Sequence, residues 1–153
     1  MLSKKIGDFL RERGLTVSSA ESCTGGMIAS LITRVAGSSD YFKGSVVSYA
    51  VEVKERVLGV DVSDGVVSES TARQMADGVA RVLLTDCAIS TTGVAGPGGG
   101  TALMPVGTVC MAARVGTHTA TRTYHFEGDR ESVILQAADA ALAFLWDEMQ
   151  KNL

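Results

Sequence analysis

The chain is 153 residues long, 46% hydrophobic and 20% charged, with a formal net charge of -3. That composition excludes a disordered chain, and the length bounds a single domain with a core of its own. Lysine and arginine are scattered rather than clustered, so no basic face is expected and DNA or RNA is not an expected partner.

The three cysteines, Cys23, Cys87 and Cys110, are odd in number and widely spaced. They form no C-x-x-C pair, which indicates neither a disulfide framework nor a zinc site. No metal and no cofactor are expected. The opening segment MLSKKIGDFLRERG interleaves charge with apolar residues, unlike a signal peptide. No apolar run reaches the length of a membrane span, so neither a membrane nor export is expected and the cytoplasm is the expected compartment.

In chain order, Leu2, Ile6, Phe9 and Leu10 recur at helical spacing, and Gly14 is a natural C-terminal stop. Residues 15–20 alternate as a short strand. Met27, Ile28, Leu31, Ile32 and Val35 form the stripe of a second helix ending near Gly37. Residues 45–50 read as a strand, and Val53, Val57 and Leu58 as a short helix stopped by Gly59. Ser68 is a good N-cap for a helix carrying Ala72, Met75, Ala76, Val79 and Leu83. A buried-looking strand at 87–91 leads into a glycine-rich loop. Residues 106–115 and 119–126 read as two strands joined in a hairpin. Asp129 then caps a long last helix through Val133, Ala137, Ala140, Phe144 and Met149. Strand–helix alternation followed by a hairpin predicts an α/β fold, a three-layer α/β/α sandwich with a mixed sheet.

Four segments offer chemistry. At Ala20-Glu-Ser-Cys-Thr-Gly-Gly26 a strand hands over to a helix, where free amides and the helix dipole favour an anion. Ser22 and Thr24 bring hydroxyls there, and Gly25 and Gly26 leave the backbone accessible. A capped, packed turn explains the same residues. The loop Thr92-Gly-Val-Ala-Gly-Pro-Gly-Gly-Gly100 follows a strand and can cradle phosphate or ribose with its amides. It is neither a P-loop nor a dinucleotide fingerprint. Tyr49 and Lys54 leave a predicted strand and enter a short helix. A lysine beside a hydroxyl lowers the cost of deprotonating it, although five residues is not a helical pair and a solvated lysine is the ordinary alternative. Arg130, after Asp129, is a cation at a helix N-terminus, against the dipole, and is available to a phosphate or carboxylate. His118 and His125 lack metal-ligand spacing and read as structural or exposed. Together the serine-bearing and glycine-rich loops predict one pocket for a small phosphorylated ligand.

In combination the segments resemble the CinA C-terminal (competence/damage-inducible) family, which includes nicotinamide-nucleotide amidases. The resemblance rests on AESCTGG at 20–26, AGSSDYFKGSVVSYA at 36–50, Lys54, GVVSESTARQMADG at 65–78, TGVAGPGG at 92–99, PVGTV at 105–109 and GDR at 128–130. It implies a three-layer α/β/α fold, frequently dimeric, and metal-free hydrolysis of the carboxamide of nicotinamide mononucleotide to nicotinate mononucleotide and ammonia. It makes Ser22, Tyr49 and Lys54 the catalytic candidates, with Tyr49 and Lys54 relaying the serine proton. Thr24, Gly25, Gly26, Thr92, Gly93, Ala95, Gly96 and Arg130 become the pyridine-nucleotide-binding candidates. The chain departs from the family pattern in two places: Ala50 and Val51 stand where Ser-Asn usually follows the tyrosine, and Met104 stands where Lys usually precedes PVGTV. Val51 and Met104 favour an alternative function, a silent nucleotide-binding or regulatory paralogue, while intact Ser22, Tyr49, Lys54 and Arg130 disfavour it and leave the amidase as the leading reading. A Ser/Tyr/Lys oxidoreductase is disfavoured, because the first strand–helix turn lacks the dinucleotide fingerprint.

Overall fold

The computed structural model describes residues 1–153. Its elements in order are α1 (Leu2–Arg13), β1 (Val17–Glu21), α2 (Met27–Thr33), a 3-10 turn (Ser38–Asp40), β2 (Phe42–Val47), α3 (Val51–Leu58), α4 (Glu69–Leu83), β3 (Cys87–Gly93), β4 (Thr108–Val115), β5 (His118–His125) and α5 (Arg130–Asn152). The strands form one sheet in the order β2-β1-β3-β4-β5. β1 runs parallel to β2 and β3, while β3-β4 and β4-β5 are antiparallel, so the sheet is mixed as expected.

Alternation along the strands builds a core on each face. Val109, Met111, Ala113 and Val115 of β4 join Ile6, Leu10, Ile28, Ile32 and the inner stripe of α5 on one side. Cys110 and Ala112 face the other way, against Ala72, Met75, Ala76 and Val79 of α4 and Leu58 of α3. Helices α1, α2 and α5 therefore cover one face and α3 and α4 the other, the three-layer sandwich expected. No helix is long and apolar enough to cross a membrane.

The local signals act as predicted at most ends. Gly14 takes a left-handed φ of 65° and closes α1. Ser68 Oγ accepts from Thr71 N–H at 3.1 Å, and Asp129 caps α5 through Ser132 N–H at 2.9 Å. Three expectations shift. Helix α2 stops at Thr33, and the chain turns before the 3-10 segment. β2 lies three residues earlier than the 45–50 expected, because it pairs with β1 from Val17↔Phe42 to Glu21↔Val47 and loses its partner where β1 ends. In α3 the inward residues are Lys54 and Leu58, one turn apart, while Val57 is exposed.

The parallel strands β1, β2 and β3 all end on the same side of the sheet. The turn after β1 departs toward α2 on one face, and the segment after β2 departs toward α3 on the other. Such divergence at the carboxyl ends of parallel strands opens a crevice.

Candidate active site

The crevice holds a cavity of about 320 Å³ at the strands' carboxyl ends, near the lower end of the roughly 300–1,000 Å³ usual for small-molecule sites. Ser22 and Cys23 reach it from the turn after β1, Tyr49 and Lys54 from the segment after β2, and Thr92, Gly93, Ala95 and Gly96 from the glycine loop after β3. Arg130 closes it from the start of α5. Of the eleven candidates named from the sequence, eight, all of these residues except Cys23, line one cavity. Val66, Val67 and Val94, which the sequence reading passed over, add an apolar wall, and Gly98 and Gly99 complete the rim. The 65–67 segment is pinned to the glycine loop by Thr92 Oγ1, which donates to the Val66 carbonyl at 2.9 Å. The lining contains no histidine, aspartate or glutamate.

Lys54 is the least expected group. Its side chain is fully buried rather than solvated. Nζ lies 3.0 Å from Ser22 Oγ, 2.6 Å from the Ser48 carbonyl and 3.4 Å from the Tyr49 carbonyl. All three partners are neutral oxygens, so burial lowers the Lys54 pKa below the ordinary lysine value. When the amine is neutral, the two carbonyls accept its two N–H bonds and the lone pair is left to Ser22. The turn that brings residues 49 and 54 together is the start of α3, where Ala50 is the N-cap. Cys23, next to Ser22, is a poor rival nucleophile: burial pushes its thiol up to about 12, so it stays protonated at neutral pH.

Tyr49 and Lys54 do meet, but through the tyrosine backbone. The phenol is 59% exposed, and its oxygen accepts from Arg130 Nη2 at 2.8 Å. The direct Tyr49–Lys54 proton relay expected from the sequence is absent from this geometry, because Tyr49 stands past the end of β2 and turns outward to the rim. Arg130 Nη1 also donates to the Gly96 carbonyl at 2.6 Å. One guanidinium thus ties the glycine loop to Tyr49, with N–H groups to spare for an anion. Gly96 has a left-handed φ of 84°, and a β-carbon there would collide with Val106, so the bend requires glycine.

Thr24, Gly25 and Gly26 do not line the cavity. The expectation that the α2 N-terminus binds the ligand's anion is corrected by Glu21, which the sequence reading passed over. Its fully buried carboxylate accepts from the N–H groups of Gly26 at 3.2 Å, Ile28 at 2.9 Å and Ala29 at 3.0 Å, and from Thr24 Oγ1 at 2.7 Å. The helix end already has its anion. Gly25 N–H donates to the Ser22 carbonyl and Met27 N–H to that of Thr24. The amides of Cys23 and Thr24, and those of Ala95 and Gly96, donate to no other residue.

The remaining positions lie apart from the chemistry. His118 Nε2 approaches Glu148 at 3.6 Å and His125 Nδ1 meets Thr108 Oγ1 at 3.2 Å; both rings are exposed, as expected. Val51, at the first position of α3, and Met104, in the turn at 101–104, are outside the lining.

Comparison with known proteins follows the same outline. Residues 1–149 match the family described as "CinA C-terminal domain". A "CinA-like protein" of Syntrophobacter fumaroxidans is 44% identical over 95% of this chain, and one of Flavobacterium psychrophilum is 46% identical over 96%. The chain spans only about a third of the length of these relatives, 35% and 36%. The "Nicotinamide-nucleotide amidohydrolase PncC" of Escherichia coli K12 is 42% identical over 99% of this chain and 94% of its own. Among solved structures, the competence damage-inducible protein A of Klebsiella pneumoniae superposes with a TM-score of 0.95 at 33% identity, covering 99% of this chain and 97% of that one.

Proposed function

The chain belongs to the CinA C-terminal domain family, and from that premise we propose that it is an amidohydrolase converting nicotinamide mononucleotide and water to nicotinate mononucleotide and ammonia. The observation that carries this reading is the Ser22–Lys54 pair, a hydroxyl 3.0 Å from a buried amine whose other contacts are two carbonyls. The E. coli relative that this chain nearly spans bears the name of a nicotinamide-nucleotide amidohydrolase, which supplies the substrate class. What the rest of the longer relatives does lies outside this proposal.

In the proposed reaction Ser22 Oγ attacks the carboxamide carbon while its proton passes to neutral Lys54 Nζ. The oxyanion is held by amides adjoining the site, those of Cys23 and Thr24 or of Ala95 and Gly96. Lys54 returns the proton to the leaving nitrogen, ammonia departs, and an ester remains on Ser22. Water attacks that ester, giving one proton to Lys54, which passes it to the departing Ser22 Oγ, so that the acid is released and both the serine hydroxyl and the neutral amine are restored. The apolar wall of Val66, Val67 and Val94 takes the pyridine ring, and Arg130 with the glycine loop takes the ribose phosphate. Tyr49 acts through Arg130 rather than on the serine proton.

The test is ammonia release from nicotinamide mononucleotide by the purified protein, alongside calorimetric titration of the same nucleotide. Saturable binding with turnover supports the proposal. Saturable binding without turnover would replace it by a silent nucleotide-binding module.

A further inference from the structure

We infer that Glu21 is a positioning residue for Ser22, setting the geometry of the turn rather than touching substrate. The inference rests on the reading of Ser22 as the nucleophile. Glu21 is the last residue of β1 and immediately precedes that serine. Its carboxylate is fully buried, yet no lysine or arginine pairs with it. Six N–H and O–H groups surround it instead, and five of them donate at once. Ser19 Oγ and Ser45 Oγ lie 2.7 Å apart and share one hydrogen bond between themselves. One oxygen, Oε1, accepts from Thr24 Oγ1, Gly26 N–H and Ile28 N–H. The other, Oε2, accepts from Ala29 N–H and from one of the two linked hydroxyls beside it, Ser19 Oγ at 3.1 Å or Ser45 Oγ at 3.3 Å. Its backbone also accepts from Ser48 N–H at 2.8 Å, and Ser48 in turn holds Lys54.

The carboxylate therefore joins β1, β2 and α2 around the turn that carries Ser22. Thr24 Oγ1 extends the link to Thr91 of β3 at 2.8 Å. It also divides the amides of the turn. Those of Gly26, Ile28 and Ala29 are spent on Glu21 and those of Gly25 and Met27 on the Ser22 and Thr24 carbonyls, which leaves those of Cys23 and Thr24, directly behind the serine. A capping carboxylate would need two or three donors; five, drawn from the turn, from α2 and from the linked serines of β1 and β2, fix both position and rotation of the turn. Glutamine is not a conservative replacement here. Whichever oxygen becomes NH₂ then faces a backbone N–H that cannot rotate away.

The test uses Glu21→Gln and Thr24→Val. Each is followed by kcat and KM on nicotinamide mononucleotide, by thermal melting, and by the rate at which a fluorophosphonate reagent labels Ser22, read by mass spectrometry. For Glu21→Gln, kcat and the labelling rate are expected to fall together by about 100-fold per folded molecule, with KM little changed, the scale of a 1 Å misplacement. Thr24→Val, which removes one donor and keeps the side chain's shape, is expected to lower kcat by about tenfold; it carries the test if the glutamine variant does not fold. A Glu21→Gln protein that melts earlier but labels and turns over normally would overturn the inference and leave Glu21 a helix cap. Thr24→Val raising KM at unchanged kcat would also overturn it, by putting Thr24 on the substrate. A wild-type Ser22 that resists labelling and can be removed without loss of turnover would instead overturn the nucleophile reading itself. Labelling without turnover of this substrate leaves the inference measurable through the labelling rate.

Discussion

Replacing Lys54 by methionine removes the proposed base while retaining most of the side chain's length. Three contacts go with it: Ser22 Oγ at 3.0 Å, the Ser48 carbonyl at 2.6 Å and the Tyr49 carbonyl at 3.4 Å. Orphaning the buried Ser48 carbonyl costs about 1–3 kcal/mol, and the long Tyr49 contact adds little. An opposing effect comes from burial, which holds the folded-state pKa of Lys54 below 10.5. Between the folded pKa and 10.5 the unfolded chain binds more protons, so wild-type stability rises with pH across that window. Below it the penalty for burying the ammonium is fully present, and methionine removes that penalty. The two effects oppose each other at neutral pH, so the net change in stability is expected to be small. Turnover has no such compensation. Loss of a positioned general base costs about 10²–10⁴-fold, and Ser22 also loses its only side-chain partner. The assay is kcat against pH, per folded molecule by circular dichroism. Wild-type kcat should rise through an apparent pKa below 10.5 as Lys54 becomes neutral, and Lys54→Met should lose that limb. A folded Lys54→Met protein within about tenfold of wild type, with the limb intact, would refute the assignment of the base.

Arg130→Ala should weaken nucleotide binding by about 1.5–3 kcal/mol, the range for a charge-assisted hydrogen bond, with little change in melting temperature because Asp129 still caps α5; unchanged calorimetric affinity would remove Arg130 from the site. Tyr49→Phe deletes an acceptor for Arg130 and no contact to Ser22 or Lys54, so it should raise KM while lowering kcat by less than about tenfold, whereas a proton relay through the phenol demands about 100-fold or more. Val51→Asn should leave the rate on nicotinamide mononucleotide unchanged, because Val51 stands outside the lining; a clear rise in kcat would show that the departure from the family pattern limits turnover.

The layers and the mixed sheet were legible in the sequence, because strand–helix turns and caps are local signals, whereas the gathering of Ser22, Lys54, the glycine loop and Arg130 comes from the family resemblance, which joins segments that local signals leave separate. What was not legible depends on pairing across the chain. β2 starts at Phe42 because β1, not its own composition, decides where it is paired. Lys54 reads as a surface lysine until its place one turn before Leu58 shows it on the inner face of α3. Glu21 receives no role from the sequence, since the groups around its carboxylate lie at residues 19, 24, 26, 28, 29 and 45. Val66 and Val67 lie in the 65–78 motif but bear no reactive group to single them out; the Thr92 bond to Val66 brings them to the cavity.

The central claim is that Ser22 is the nucleophile, and Ser22→Ala tests it most directly. The variant keeps the glycines, the Ser22 N–H bond to the Thr91 carbonyl at 3.0 Å and the Arg130 contacts, so nucleotide affinity should largely persist. Ammonia release from nicotinamide mononucleotide should fall by several orders of magnitude, up to about 10⁶-fold for a serine hydrolase. Rate, calorimetric affinity and melting temperature are measured on one preparation. The account predicts a folded, ligand-binding protein with no turnover; a destabilised variant that still hydrolyses the amide at a near-normal rate would contradict it.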